Sequence, residues 1–228
     1  MKQIIQLMTL ITLGIFALVV CDVPVFNAVQ SAETEQKKKK PRRVPALTQS
    51  FYKKMSEAQL MIDPESMPRE EGEPAPIPNG TPQDGIDLLL SMTKKRRVNS
   101  NELSQLWNML AFGYYTLGDT NNTIRAYEEV LKAGEIGVIT EALEKNSLRA
   151  LFQLYYSREN YKKSLGFIER WEVLNGKPDA QVTYLKATAY YQLEEFRDAL
   201  KWALELENIV VAEGRELKEN WIYLQVIL

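Results

Sequence analysis

Beyond residue 98 the apolar residues recur at helical spacing, in paired segments separated by short polar breaks. Trp107, Leu110, Ala111 and Tyr114 stand at i, i+3, i+4 and i+7 and form one stripe. Ile124, Tyr127, Val130 and Leu131 form a facing one. Between them Gly118-Asp119 predicts a tight turn, because glycine takes the left-handed backbone at a helix end without strain. Asn99, with Glu102 three residues on, predicts a capping box at the start of the first helix. The pattern repeats with Leu148, Leu151, Phe152 and Tyr155, a turn at 158–160, and Tyr161, Leu165, Ile168 and Trp171, ended by Asn175-Gly176-Lys177-Pro178. A third copy carries Ala187 and Tyr190, a turn at Glu194-Glu195, then Phe196, Ala199, Leu200, Ala203 and Leu206. A fourth opens at Lys218 with Trp221 and Leu224. The pairs Tyr114-Tyr115, Tyr155-Tyr156 and Tyr190-Tyr191 mark the phase. Their spacing of roughly 35 to 40 residues is that of a helical solenoid.

The first part of the chain is less regular. Phe51, Met55, Ala58 and Ile62 predict a helix over 48–62, stopped by Asp63-Pro64. Six prolines from Pro64 to Pro82, with Gly72 and Gly80, exclude a helix or central strand there and predict an insertion at 63–82. A second helix fits 83–93 through Ile86, Leu89 and Leu90. Lys94-Lys95-Arg96-Arg97 closes it where the helix dipole favours positive charge. Upstream, Lys2 precedes an apolar run over 4–20 that ends at Asp22. As a helix this run would span roughly 25 Å, at the short end for crossing hydrocarbon. It predicts an export signal over 1–32, cut after Ala32 or alternatively after Ala28 or Ser31, or else retained as an anchor. Val19 and Val20 are too bulky for lipid attachment at Cys21. Lys37, Lys38, Lys39, Lys40, Arg42 and Arg43 then make a self-repelling basic stretch inside a flexible spacer at 33–46. It serves either as a solvated spacer or as a contact for anionic headgroups at a membrane surface or for an acidic partner.

Composition narrows the chemistry. The 228 residues carry 28 Lys plus Arg against 30 Asp plus Glu, a net charge of -2, so nucleic-acid binding is not implied. Hydrophobic residues make up 45%, enough for a globular core. There is no histidine, and the one cysteine lies in the export segment. Ser-His-Asp and Cys-His nucleophile pairs are excluded, as are His- or Cys-based zinc, haem and iron-sulfur sites. No cofactor, metal or catalytic residue is expected. The acidic pairs Glu128-Glu129 and Glu194-Glu195 are the notable candidates for acid-base work. Neighbours on a helix diverge by about 100°, and the second pair falls in a turn, so both read as solvated. The glycosylation-type triplets at Asn79 and Asn121 read as chance.

The repeated pattern resembles the tetratricopeptide repeat (TPR). The first unit matches through Trp107, Leu110, Ala111, Tyr114, Gly118, Asp119 and Tyr127, and the third through Phe196 and Ala199. Thr123 and Ser164 replace the family's small alanine. Trp171 replaces a small residue and suggests wider local packing. The resemblance implies an all-α fold, a TPR-type α-α superhelix built as a right-handed solenoid of helical hairpins. That solenoid would occupy 99–228, after an atypical hairpin at 47–98. The positions that face the groove in such repeats are Gln105, Asn108, Phe112 and Tyr115 in the first unit. They are Asn146, Arg149, Gln153 and Tyr156 in the second, and Gln181, Tyr184, Thr188 and Tyr191 in the third. An amide-rich, aromatic wall suits a protein or peptide partner, against the alternative of a solvated face. Phe112, Ala150 and Leu185 stand where a carboxylate clamp needs polar groups, which disfavours capture of a C-terminal tail. Val226-Ile227-Leu228 stop inside an apolar helix without a cap, so the expectation is a truncated array or an end covered by a partner.

A second resemblance is to the exported TPR proteins encoded with TonB, ExbB and ExbD in Gram-negative bacteria. It is carried by the signal segment, Arg42-Arg43-Val44-Pro45-Ala46-Leu47, Tyr52, Glu169-Arg170-Trp171 and Glu219-Asn220-Trp221. It implies a periplasmic adaptor, anchored in the inner membrane if the signal is retained, that is accessory to TonB-type energy transduction. The alternative is a general envelope-assembly scaffold, with an enzyme disfavoured.

Overall fold

The computed structural model describes residues 42–70 and 72–228. The export segment with its cleavage site, and Lys37, Lys38, Lys39 and Lys40, lie outside the described residues. Among the described residues there are nine α-helices and a short 3-10 turn at Pro64–Ser66. The helices are α1 (Gln49–Ile62), α2 (Pro82–Thr93), α3 (Ser100–Thr116), α4 (Thr120–Ile136) and α5 (Glu141–Ser157), followed by α6 (Tyr161–Asn175), α7 (Ala180–Gln192), α8 (Phe196–Ala212) and α9 (Glu219–Ile227). Each packs on its neighbours in sequence, giving hairpins α1–α2, α3–α4, α5–α6 and α7–α8 stacked one on the next, with α9 closing the described part. The fold is all-α, a row of sequential hairpins. No helix among the described residues is long and apolar enough to cross a membrane.

The helices start where their caps dictate. Asn99 accepts from the Glu102 amide at 2.9 Å while the Glu102 carboxylate accepts from the Asn99 amide at 3.3 Å, the expected reciprocal box. Thr81 and Asp84 form a second box. Thr48, Asp119, Thr140, Asn160 and Asp179 each bond a first-turn amide. The three tyrosine pairs share one turn. The amides of Asp119, Asn160 and Glu195 donate to the carbonyls of Tyr114, Tyr155 and Tyr190 at 2.8, 2.9 and 3.0 Å. The residue just before each amide is left-handed, namely Gly118 (φ 74°), Glu159 (φ 59°) and Glu194 (φ 62°).

The core runs as overlapping clusters. One joins Phe51, Ile62, Ile86, Leu89, Leu106 and Leu110; the next joins Ile124, Leu148, Leu151, Phe152, Ile168 and Trp171; a third joins Tyr184, Ala203, Leu206, Val210 and Trp221. The serine expected to stand in for a small alanine keeps its helices close: Ser164 is fully buried and its hydroxyl donates to the Phe152 carbonyl at 2.8 Å. Trp171 is buried at the place in its helix that Val130 and Leu206 hold in theirs, with its ring edge-on to Phe152 at 6.2 Å. Lys186 is buried as well. Its ammonium sits 2.7 Å from Glu172 on α6 and 3.5 Å from the Trp202 ring centre on α8, so one cation ties three helices.

The first hairpin is tight despite its long connection. At Gly85 a Cβ would meet the Ala58 carbonyl oxygen and Ile62 Cγ1, both at 2.9 Å, so only hydrogen lets α2 approach α1 this closely. At the other end the apolar surface is incompletely covered. The fifth residue of each second helix is Ile124, Leu165 or Leu200; the first two are 6% and 7% exposed and the third 38%. Leu204 and Val226 are exposed too.

Three outcomes follow from the backbone geometry. Glu194→Gly should stabilise the fold by about 1 kcal/mol, and Gly118→Ala should destabilise it by about the same, because a Cβ is disfavoured in the left-handed region. Gly85→Ala should cost about 1–3 kcal/mol through overpacking, partly offset by its better helix propensity. Urea-melt midpoints of the three variants measure all of these effects.

Candidate peptide-binding wall

The candidate wall draws on the first helices of the hairpins, where residues seven apart share a helix face. On α3, Gln105, Asn108 and Phe112 are half-buried and Tyr115 is exposed. On α5, Asn146 is exposed while Arg149, Gln153 and Tyr156 are half-buried. On α7, Gln181 is exposed and Thr188 and Tyr191 are half-buried. Two of these positions meet across units: the Tyr156 hydroxyl donates to Thr188 Oγ1 at 3.0 Å, joining α5 to α7.

Tyr184 departs from the expectation. It is 5% exposed, with its ring 6.0 Å from that of Trp221, so α9 covers it and it packs in the core rather than offering a surface. Arg149 is engaged within the chain although its side chain stays partly exposed. Its guanidinium lies 5.4 Å from the Trp171 ring centre and 3.9 Å from the Asp179 carboxylate, a cation held by a ring face and an anion of this chain. Tyr191 packs edge-on against Phe196 at 5.8 Å, and Tyr156 against Tyr161 at 5.2 Å. The tyrosines therefore do double duty, packing with one part of the ring and facing outward with another.

Burial pushes the Tyr156 phenol up to about 12, since the phenolate would lose water inside the array. Tyr155, one residue earlier, is also pushed up to about 12, first by burial and then by the Glu128 carboxylate that accepts its hydroxyl at 2.6 Å. Glu128 is thus a structural acceptor, whereas the turn position of Glu194-Glu195 leaves both carboxylates exposed. Among the described residues no group of three His, Cys, Asp or Glu is placed to hold a metal ion.

Sequence reasoning missed a second set of polar residues at the N-terminal end of this wall. Asn101 continues the α3 stripe one turn upstream of Gln105. Its Nδ2 donates to the Pro45 carbonyl at 2.8 Å, and Asn99 Nδ2 donates to the Ala46 carbonyl at 3.2 Å. The Glu102 carboxylate, besides capping its own helix, accepts from the Thr48 amide at 3.1 Å and hydroxyl at 2.9 Å. Arg42 pairs with Glu144 at the start of α5. Residues 42–46, expected to be part of a flexible spacer, are therefore docked. The available signal was the run of asparagines and glutamates at the start of α3, which reads from sequence as capping alone.

No family model matches the chain, and no curated protein matches it. Among solved structures, MamA from residue 41 to its end, from Desulfovibrio magneticus RS-1, is similar with a TM-score of 0.48 and 15% identity, over 72% of this chain and 77% of that one. The MamA RS-1 ArsTM double mutant is similar with a TM-score of 0.47 and 17% identity, over 72% and 78%. Neither likeness carries a ligand or a role over to this chain.

The raised phenols fix a pH dependence. Unfolded tyrosine ionises near 10 and these two near 12 in the fold, so between those values the unfolded chain holds fewer protons and stability falls as pH rises. Their contribution is fully present below about pH 10. Urea midpoints taken from about pH 9 to about pH 12 should fall more steeply for the parent chain than for Tyr156→Phe, which has no phenol there to ionise.

Proposed function

We propose that this chain is a non-enzymatic scaffold that binds an extended or helical segment of a partner protein along the wall of α3, α5 and α7. The observation that carries the reading is the Tyr156–Thr188 bond, which sets the first helices of two hairpins side by side with amides and tyrosine edges facing outward. Amide side chains can pair with a partner's backbone, and tyrosines contribute contact area while losing little conformational freedom. The absence of histidine from the sequence supports a binding role over acyl-transfer or metal-dependent hydrolysis.

The finer reading is that the protein works in the periplasm of a Gram-negative cell as an accessory to a TonB-type energy-transduction system. Its support is in the sequence: the apolar segment at 4–20, the basic run and the short matches around Tyr52, Trp171 and Trp221. In this reading the basic run, of which Arg42 and Arg43 are exposed in the described part, lies near the anionic inner-membrane surface.

Photo-crosslinking residues placed at Asn108, Gln153 and Tyr191, with Lys132 and Arg170 on the second helices as controls, test both levels in cells. The expected result is adducts from the first three positions, with TonB, ExbB or ExbD identified in them by mass spectrometry. Adducts confined to Lys132 and Arg170 would overturn the wall as the binding surface. Wall adducts to other envelope proteins would overturn the TonB assignment and favour a general envelope-assembly scaffold.

A further inference from the structure

The segment that leads into α1 has no helix or strand over 42–48 and meets the first turns of α5 and α3. It is held at four residues: Arg42 by Glu144, the Pro45 carbonyl by Asn101, the Ala46 carbonyl by Asn99, and Thr48 by Glu102. Only the first and last of these contacts involve the segment's side chains. The middle two read backbone, so any residue presenting a carbonyl there would satisfy them.

Asn101 is used by half. It is 5% exposed, and its Oδ1 is shut off from solvent with no hydrogen-bond partner among the described residues. A side-chain amide that donates to a backbone carbonyl has a natural second partner in the N–H of the same residue, because both groups of an extended residue point to one side, as they do in a hydrogen-bonded strand pair. Here that residue is Pro45, whose ring removes the N–H. A buried acceptor left unmet is unfavourable, so the arrangement carries a built-in deficit that another residue at this place would remove.

We infer that Asn101 is a socket that reads the backbone of an extended segment from a partner polypeptide, and that residues 42–48 fill it as an incomplete, displaceable ligand. The contacts of this chain define the partner segment. It has a residue other than proline at the read position, a basic residue three places before it for Glu144, and a hydroxyl residue three places after it for Glu102. A second copy of this chain would bring the same proline and gain nothing, so the occupant is a different polypeptide. Asn101 lies on the same α3 stripe as Gln105 and Asn108, and the inference rests on the reading of that stripe as a polypeptide-binding surface. The segment then acts as a competitor at one end of the wall, and a partner entering there must lift it.

Two measurements on the full chain test this. In the first, Pro45→Ala restores an N–H at the read position. Hydrogen exchange of the residue-45 amide, followed by NMR, should be slowed at least tenfold relative to the same amide in a Pro45→Ala, Asn101→Leu double variant. In the second, fluorescent peptides Arg-Arg-Val-Pro-Ala-Leu-Thr and Arg-Arg-Val-Ala-Ala-Leu-Thr are titrated against an Arg42→Glu variant, whose own segment has lost its pairing with Glu144. The alanine peptide should bind about fivefold more tightly, the worth of one hydrogen bond, and the preference should vanish with Asn101→Leu. Equal affinities, no binding of either peptide, a preference that survives Asn101→Leu, or an unprotected residue-45 amide would each overturn the socket. The crosslinks at Asn108, Gln153 and Tyr191 would still judge the wall independently.

Discussion

Every hairpin in this chain has more apolar surface than two helices can hide from water, and stacking is the remedy. Ile124 and Leu165 illustrate the constraint: each is buried within the array, while Leu200, at the same place in α8, stays partly exposed. Burying a leucine-sized side chain contributes about 1.5–3 kcal/mol, and a small hairpin cannot recover its chain entropy without several such residues. The stacking that satisfies this need also fixes the order of the hairpins, each packing on the next, and the Tyr156–Thr188 bond joins the first helices α5 and α7.

The same packing limits which groups remain free to bind. Tyr156 bonds Thr188, Arg149 is divided between Trp171 and Asp179, and Tyr184 disappears beneath Trp221. Of the candidate positions, Tyr115, Asn146 and Gln181 stay exposed, and Gln105, Asn108 and Gln153 are half-buried. Such a surface offers directional hydrogen bonds and little net charge, which under the proposed reading suits a partner's backbone better than a charged surface. The tie between Lys186, Glu172 and Trp202 lies deeper, where it braces α6, α7 and α8 against one another.

Much of this architecture was legible because helices announce themselves locally. Asn99 and Glu102 gave the start of α3 to the residue, and Tyr114, Tyr155 and Tyr190 marked three turns of one geometry, two of which use a glutamate where glycine would be less strained. Exposure along the candidate wall was not legible. Whether Tyr184 faces water depends on α9, more than 30 residues downstream, and no periodicity in α7 encodes that. Lys186 was invisible for a similar reason, since a lysine between two apolar neighbours reads as a solvated tip until Glu172 and Trp202 arrive from other helices. The docking of residues 42–48 left no pattern at all: an extended segment held through its carbonyls has no repeat, and its partners already had a sufficient explanation as caps.

Glu102 belongs to two helix beginnings at once, closing the capping box of α3 and taking the amide and hydroxyl of Thr48 at the head of α1. Together with the close seat of Gly85 on Ala58, this means that α1 is clasped by neighbours on both sides through contacts that owe nothing to the proline-rich connection behind it. The contacts that seat α1 therefore do not run through that connection. It is a stretch where the chain could be nicked, lengthened or made to carry an insert while the pieces stay together, which gives it an evolutionary latitude that the tight turns between the later helices lack.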